Sequence, residues 1–494
     1  MKELTTQQTR RALRMSTFEG NFAGIHAALT GGMFLIGFVT AMGGSYVHFG
    51  LIAALPTLGT LVQIPAAYWF QKAPSRKPLT VISSFVSRFV WIVTPFLPFL
   101  FPLSTALWIF LGVFAFHCGI LNVAANGWTS WMSDIVPRKM RGRYFSRRNM
   151  IISIVSLFVG TAAAYFVDFL KEGRPFGRTI AGILSPIIGF MKDWAAGSTD
   201  TVLKTKVELA GIGLLFFVAS IAAVVSAYLL TRQPEPKREF GKDVRHASFF
   251  GSAREVFANK PFFSFLVFMT VWNFLNGFSA PLWVPYLYNQ LKMSYAMVAW
   301  LGVLAGVIRI FVLPIWGRLV DRFGNRPVLR LSILVIGFHP LMWPIASPSF
   351  LLPIYIDTIS SAIMWPAVEV AAFNLLLGST PKERKEMFYA VYAATTGVAF
   401  SVTPLITGKV MDLAKFYGYE LQAIVVFFCG VAAARFAAQL LLMRVKEEGA
   451  RSVLYMVKTV WHDLRGLFLP SRPTLAVEET GSLPKPPHGK TKWY

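Results

Sequence analysis

Hydrophobic positions along the chain fall in long runs separated by short polar connections. Runs of about 20 apolar residues are long enough to cross a bilayer as helices. The pattern predicts helices at 17–42, 46–71, 78–101, 104–133, 146–170 and 208–231, then at 261–289, 294–317, 327–347, 349–378, 386–411 and 420–443. Twelve crossings place both chain ends on one side of the membrane. The connection 232–260 is long and mixed in charge, as a linker between two six-helix bundles would be. The predicted plan is therefore a tail (1–16), a first bundle (17–231), the linker (232–260), a second bundle (261–443) and a C-terminal region (444–494).

Three amphipathic pieces lie outside the crossings. Phe249, Phe250, Val256 and Phe257 of the linker are expected on the membrane surface, and a small interfacial helix is expected at Ile180–Met191. Val453, Val457, Val460, Trp461, Leu464 and Phe468 recur at helical spacing, with Arg451, Lys458 and Arg465 between them. They predict a helix lying in the interface or packed on the bundle. From Pro470 onward, proline and low hydrophobicity predict disorder.

Composition supports the membrane reading. Only 15% of the 494 residues are charged, 55% are hydrophobic and mean hydropathy is +0.53. A soluble domain carries about 25% charged residues. Net charge is +24, which in a soluble protein would point to nucleic acid. Its placement points elsewhere: about three quarters of the Lys and Arg fall in the tails and alternate connections, as the positive-inside rule requires. Lys72, Arg76, Lys77, Arg138, Lys139, Arg141, Arg143, Arg147 and Arg148 mark cytoplasmic loops. The expected partner of this charge is a bilayer with anionic headgroups, not nucleic acid. Cys118 and Cys429 both lie in apolar runs, so neither a disulfide framework nor a metal-ligand cluster is expected. The first apolar run is too long for a cleaved signal peptide and reads as a retained helix.

One connection has a recognisable pattern: Gly317-Arg318-Leu319-Val320-Asp321-Arg322-Phe323-Gly324-Asn325-Arg326-Pro327. Glycine permits tight turning, and a carboxylate is favoured at the positive end of a helix. In this context the segment resembles the loop signature of the major facilitator superfamily of secondary transporters, in the copy that follows the eighth helix. Asp134-Ile135-Val136-Pro137 through Arg141-Gly142-Arg143 is similar to the family's basic loop after the fourth helix. The first-half copy departs from the pattern, with Tyr68 and Lys72 where Gly317 and Asp321 stand, and Arg76-Lys77-Pro78 as its basic end. A sparse internal repeat accompanies these loops. Pro65 and Pro78 are spaced like Pro314 and Pro327, an offset of 249, and Pro137 answers Pro381 at an offset of 244.

The resemblance implies an all-α membrane fold of two pseudo-symmetric six-helix bundles, with spans 1, 4, 7 and 10 lining a central cavity. It also implies a switch loop of Gly317, Asp321, Arg322, Gly324 and Arg326. In that switch Asp321 meets the start of span 5 at Ser146-Arg147-Arg148 only when the cytoplasmic side is closed. Such a helix-end contact is worth about 0.3–1 kcal/mol.

Ionisable and polar groups inside a bilayer are functional candidates by default. His117, Asn122, Asn126 and Ser130 form a polar stripe on span 4. Trp272, Asn273 and Asn276 sit mid-span in helix 7, and Trp365-Pro366 is expected to interrupt helix 10 near the midplane. Each of these also fits helix–helix packing or hydrogen bonding. Arg309 and Glu369 lie at matching depth, ~13 Å from the cytoplasmic boundary at ~1.5 Å rise per residue, and are expected to pair. The pair is either structural or a site of proton coupling. Arg88 has no acid at matching depth in its own half, so it is a candidate for a substrate anion or carbonyl partners. Asp357 is a candidate proton port or a capped acid, whereas Glu19, Asn21 and His26 read as entrance or capping groups.

These expectations converge on a secondary or facilitative transporter of a small organic solute, working by alternating access, with protons as candidate coupling ions. It is expected as a monomer without a cofactor in a bacterial inner membrane, both termini cytoplasmic. Span 5 carries Gly160 and no proline over 151–170, unlike the glycine-proline motif of the family's antiporters. Two other readings stay open: a lipid or lysolipid flippase (or lipophile exporter) on the same scaffold, and a non-transporting receptor or assembly partner. No metal-spaced His cluster, Ser-His-Asp set or nucleotide loop points to an enzyme or an ATP-driven pump.

Overall fold

A computed structural model describes residues 6–72, 75–136, 141–235, 257–380, 385–445, 447 and 449–468. Regular structure among them is helical, apart from a single bridge between Ser347 and Phe350. The chain divides into two units, Met1–Ala450 and Arg451–Tyr494. The second contains the helix Val453–Phe468, where the spacing of apolar residues predicted one. The tail from Pro470 and the linker residues Phe249, Phe250 and Val256 lie outside the described residues, as do Arg138 and Lys139.

Among the described residues, ten helices of the first unit are long and apolar enough to cross a membrane. The other two crossings are span 2 and span 9. Span 2 is divided into Tyr46–Gly59, a 3-10 turn at Thr60–Val62, and Gln63–Lys72. Span 9, Asn325–Met342, is short and carries Arg326 and Arg330 in its first turns. The remaining spans are Thr6–Thr30 with Gly32–Ala41 (1), Lys77–Leu100 (3), Leu103–Ile135 (4), Arg141–Lys171 (5) and Thr201–Arg232 (6). In the second half they are Lys260–Ser279 with Trp283–Asn289 (7), Tyr295–Phe323 (8), Leu352–Ser379 (10), Lys385–Phe416 (11) and Glu420–Leu442 (12).

Span 1 begins at Thr6, eleven residues before the predicted start, because Arg10, Arg11 and Arg14 sit on exposed turns of a continuous helix. Apolar patterning cannot locate the end of a helix that projects past the hydrocarbon. The same span breaks at Thr30–Gly32, where Gly32 has φ +51°, a backbone conformation that glycine adopts without a steric cost. Span 10 contradicts the predicted interruption: it runs unbroken through Trp365-Pro366. The Trp316 indole N–H donates to the Ile363 carbonyl at 2.7 Å, three residues before Pro366. Pro366 withholds a single N–H, the partner of the Ala362 carbonyl, and the loss of that one bond leaves the helix continuous. Between spans 5 and 6 the expected interfacial helix forms as two pieces, Pro175–Leu184 and Met191–Ala195.

Span 2 packs along span 11 and span 5 along span 8, joining the halves. Span 2 and span 11 touch at their backbones: a Cβ on Gly50 would sit 2.4 Å from the Pro404 carbonyl oxygen, and one on Gly408 would sit 2.6 Å from that of Tyr46. Phe38, Trp91, Phe110 and Phe216 form the buried aromatic core of the first half, with Trp343 and Phe428 prominent in the second. The tail side is defined here by the start of span 1 and by the 2–3, 4–5, 8–9 and 10–11 connections; the far side is opposite.

Candidate functional site

A cavity of about 520 Å³ lies where span 1 breaks. Its wall includes His26, Thr30 and Gly32 of span 1, Pro56 of span 2, Arg88 and Trp91 of span 3, His117 and Cys118 of span 4, and Ala280 and Val284 of span 7. Both halves of the molecule therefore contribute to it. Most of the wall is apolar, and its lining residues include no carboxylate.

The polar groups behind the wall are linked. His26 Nδ1–H donates to the Ala219 carbonyl at 3.1 Å, and its Nε2 is buried without a partner. The ring lies 5.9 Å from that of His117. His117 Nδ1 is 3.0 Å from Trp91 Nε1 and 2.5 Å from the Ser87 carbonyl. One ring nitrogen either accepts from the indole or donates to the carbonyl, so the two contacts belong to alternative tautomers. Deeper on the tail side, Arg88 Nη1 donates to Ser226 Oγ at 2.6 Å, and Ser226 donates to Glu19 Oε1 at 2.7 Å. Arg148 reaches Glu19 Oε2 at 3.5 Å, donates to the Ser16 carbonyl, and covers the face of Trp128 at 4.5 Å.

Arg88 therefore has an acid within 3.9 Å, in Glu19, which corrects the expectation that it had none. Glu19 is 2% exposed, not an entrance group. The cause is the early start of span 1, which places Glu19 and His26 well inside the bundle. Asn122 accepts from Gln63 at 2.6 Å and donates to the Cys118 carbonyl, holding spans 2 and 4 together. Asn126 is half-buried on the same stripe.

A second cavity of about 530 Å³ lies within the C-terminal half between spans 8 and 10. Arg309, Asp357, Trp365 and Glu369 line it. Arg309 and Glu369 form a two-pronged ion pair, one contact being 3.2 Å between Nη1 and Oε1 and the other joining Nη2 to Oε2. Asp357 accepts from Trp343 at 3.1 Å and lies 3.5 Å from His339, whose ring also meets Ser360 and Ser361. Asn276 is committed elsewhere: its Oδ1 accepts from Arg435 at 2.7 Å and its amide donates to the Trp272 carbonyl. Asn273 likewise donates back to Met269. Trp272 is fully buried between Arg435, 5.7 Å above its ring, and Trp365, 6.1 Å away. Arg435 and His339 had not been singled out in the sequence, although a charge inside the apolar run 420–443 is itself a signal.

At the far side the halves are joined by two matching sets of hydrogen bonds. Asp168, ending span 5, accepts from the backbone N–H groups of Tyr295 (3.0 Å) and Ala296 (2.6 Å), which start span 8. Asp412, ending span 11, accepts from Tyr46 (2.8 Å) and Val47 (3.0 Å), which start span 2, and from Ser45 Oγ. Tyr295 Oη donates to Glu208 at 3.0 Å and Tyr46 Oη to Glu420 at 2.7 Å. Tyr46 and Tyr295 stand 249 residues apart and Asp168 and Asp412 stand 244 apart, the two offsets of the proline repeat, whereas Glu208 and Glu420 do not follow it. Trp300 to Tyr165 and Tyr288 to Met33 also join the halves at this side.

The description Major Facilitator Superfamily belongs to a family model that matches residues 20–368 and, in a second match, 273–469. The chain belongs to this superfamily. Among solved structures it is similar to a bacterial homologue of the human lysosomal transporter Spinster in an inward-facing, unoccupied conformation. That match has a TM-score of 0.63 at 14% identity over 90% of this chain and 100% of the other. It is similar also to a D-xylose–proton symporter (TM-score 0.61, 15% identity, 89% and 98% covered) and to the nucleoside transporter NupG (0.55, 12%, 88% and 98%). These likenesses concern the fold. A tetracycline resistance protein, class H, of Pasteurella multocida is 24% identical over 144 residues, 28% of this chain and 35% of that protein. The match thus spans about a third of the curated relative.

The superfamily signature loop is occupied within its own half. Gly324 turns at φ +94°, and Glu447 accepts from the backbone N–H groups of Asn325 (2.9 Å) and Arg326 (2.6 Å), capping span 9. Arg326 donates to the Met443 carbonyl beyond span 12 at 3.0 Å. Gly317 has open space around it, and Arg322 lies over Phe323. Asp321 is exposed, as is Arg147, while Arg148 is buried on Glu19. In this conformation Asp321 forms no ion pair or hydrogen bond among the described residues.

Proposed function

We propose that this member of the superfamily is a secondary transporter that carries a small organic solute by alternating access. The observation behind the proposal is the cavity at the meeting of the halves, sealed at the far side by two matched carboxylate caps. The charge distribution supports a cytoplasmic tail side, with both termini there, in a membrane of the bacterial inner type. The conformation described is then closed toward the outside. The carrier acts as a monomer in this reading, and Glu369, paired with Arg309, is its candidate proton-coupling site.

Alternating access requires the same cavity to be reached from both sides in turn. Single cysteines introduced as Ala53→Cys and Ala280→Cys, in a chain whose Cys118 and Cys429 are replaced by serine, would be alkylated in proteoliposomes by impermeant maleimides added to one face at a time. Labelling from each face, with the far-side rate rising when the far-side caps are removed, supports the reading. Labelling from one face only, under all conditions including cap removal, would leave a non-transporting membrane protein.

A further inference from the structure

We infer that the central cavity is built for an organic anion with an apolar body and one hydrogen-bond donor, held by Arg88 and His26. The inference rests on the transporter reading above and names its substrate class.

Charge balance carries the argument. Behind the cavity two guanidinium groups, Arg88 and Arg148, share a single carboxylate, Glu19, which is 2% exposed. Removing charge from water is costly unless each ion finds a counter-ion. Arg148 has its needs met by Glu19, the Ser16 carbonyl and the Trp128 face. Arg88 does not: it is 3.9 Å from Glu19, is bridged to it through Ser226, and lines the cavity. Its Nε and Nη2 donate to nothing among the described residues. The excess positive charge therefore faces a space whose lining residues include no acid.

His26 supplies the second anchor. With Nδ1–H committed to the Ala219 carbonyl, Nε2 keeps a lone pair that is buried and unpartnered. A buried acceptor in that state is costly, and a hydroxyl or amide N–H from a ligand relieves it. Trp91, Phe114, Phe49, Leu35 and Ile52 complete an apolar wall. At about 520 Å³ the space lies within the range of small-molecule sites, ~300–1,000 Å³. The C-terminal cavity lacks this imbalance, because Arg309 is paired with Glu369.

The test uses the purified full-length chain and three probes of one shape: 3-phenyllactate, 3-phenylpropionate and neutral 3-phenyllactamide. Apparent Kd values are read from ligand-dependent thermal shifts at constant pH and ionic strength. The expected order is 3-phenyllactate tightest, 3-phenylpropionate about tenfold weaker, and no response to the amide. Arg88→Gln should remove the response to both anions, Arg88→Lys should keep part of it, and Lys204→Gln, which removes an exposed positive charge of span 6, should leave it unchanged. If Arg88→Gln fails to fold, Arg88→Lys and His26→Phe carry the test; the latter should bring both anions to the same affinity. Equal binding of the amide, no binding of either anion, or loss of binding in Lys204→Gln overturns the assignment. The two-sided labelling of Ala53→Cys and Ala280→Cys is independent of these probes. An overturned assignment with labelling from both faces leaves the transporter reading intact, and one-sided labelling removes that reading instead.

Discussion

Asp168 and Asp412 occupy equivalent places in the two halves, each accepting the first backbone N–H groups of a helix in the opposite half. Each carboxylate meets the positive end of that helix, where unsatisfied N–H groups and the helix dipole both favour an anion. A far-side opening must break both sets at once. Hydrogen bonds to a charged group contribute about 1.5–3 kcal/mol each, so together they hold this conformation strongly. Asp168→Asn or Asp412→Asn should move the balance toward far-side opening by about tenfold, since ~1.4 kcal/mol is a factor of ten, and the double variant should move it further. Spin-label distances across the far side would report this, and an unchanged distance distribution in the double variant would refute it.

Gly37 bears on the same closure. A Cβ there would stand 1.9 Å from Tyr295 Oη, the hydroxyl that bonds to Glu208. Gly37→Ala should push Tyr295 off its partner and reproduce part of the Asp168→Asn opening. The parallel change at an uncrowded position, Gly302→Ala, should do neither.

Asp321 is exposed and forms no ion pair or hydrogen bond among the described residues, so Asp321→Asn should leave the protein's thermal stability within about 0.5 kcal/mol, the usual range for such surface changes. The substitution should instead weaken the tail-side-closed state and keep the cavity accessible from the tail side. Transport would slow while binding is unaffected. Unchanged tail-side alkylation of Ala53→Cys during turnover would contradict the switch.

Arg309 and Glu369 are each about half exposed, at 47% and 52%. Their pair is therefore worth only about 0.2–1 kcal/mol to stability, after solvent screening. Glu369→Gln should barely lower the Tm yet flatten the pH dependence of uptake into proteoliposomes. An undiminished pH dependence would make the pair structural.

Glu447 caps span 9 through two backbone N–H groups, and losing such a cap costs about 0.5–2 kcal/mol. Glu447→Ala should lower the Tm by an amount of that size and loosen the signature loop from Met443. Glu447→Asp is too short to reach both N–H groups and should fall between. Equal melting of all three chains would place the cap's contribution elsewhere.

The crossings, their number, the family signature and the Arg309–Glu369 pair were legible in the chain itself, because each depends on local order: an apolar run, a glycine-and-charge pattern, or equal depth on two helices. Lipid imposes those rules on every segment separately, since backbone polar groups must be satisfied within the helix. Ser45-Tyr46 and Ser294-Tyr295 also stood in the sequence at the repeat offset of 249, but their meaning needed Asp412 and Asp168 brought from another half. The Glu19 network, the Arg435 bond to Asn276 and the break of span 1 beside His26 were decided only by tertiary packing. Which acid reaches which base depends on helix rotation and on where a helix starts beyond the hydrocarbon, and apolar periodicity carries neither quantity.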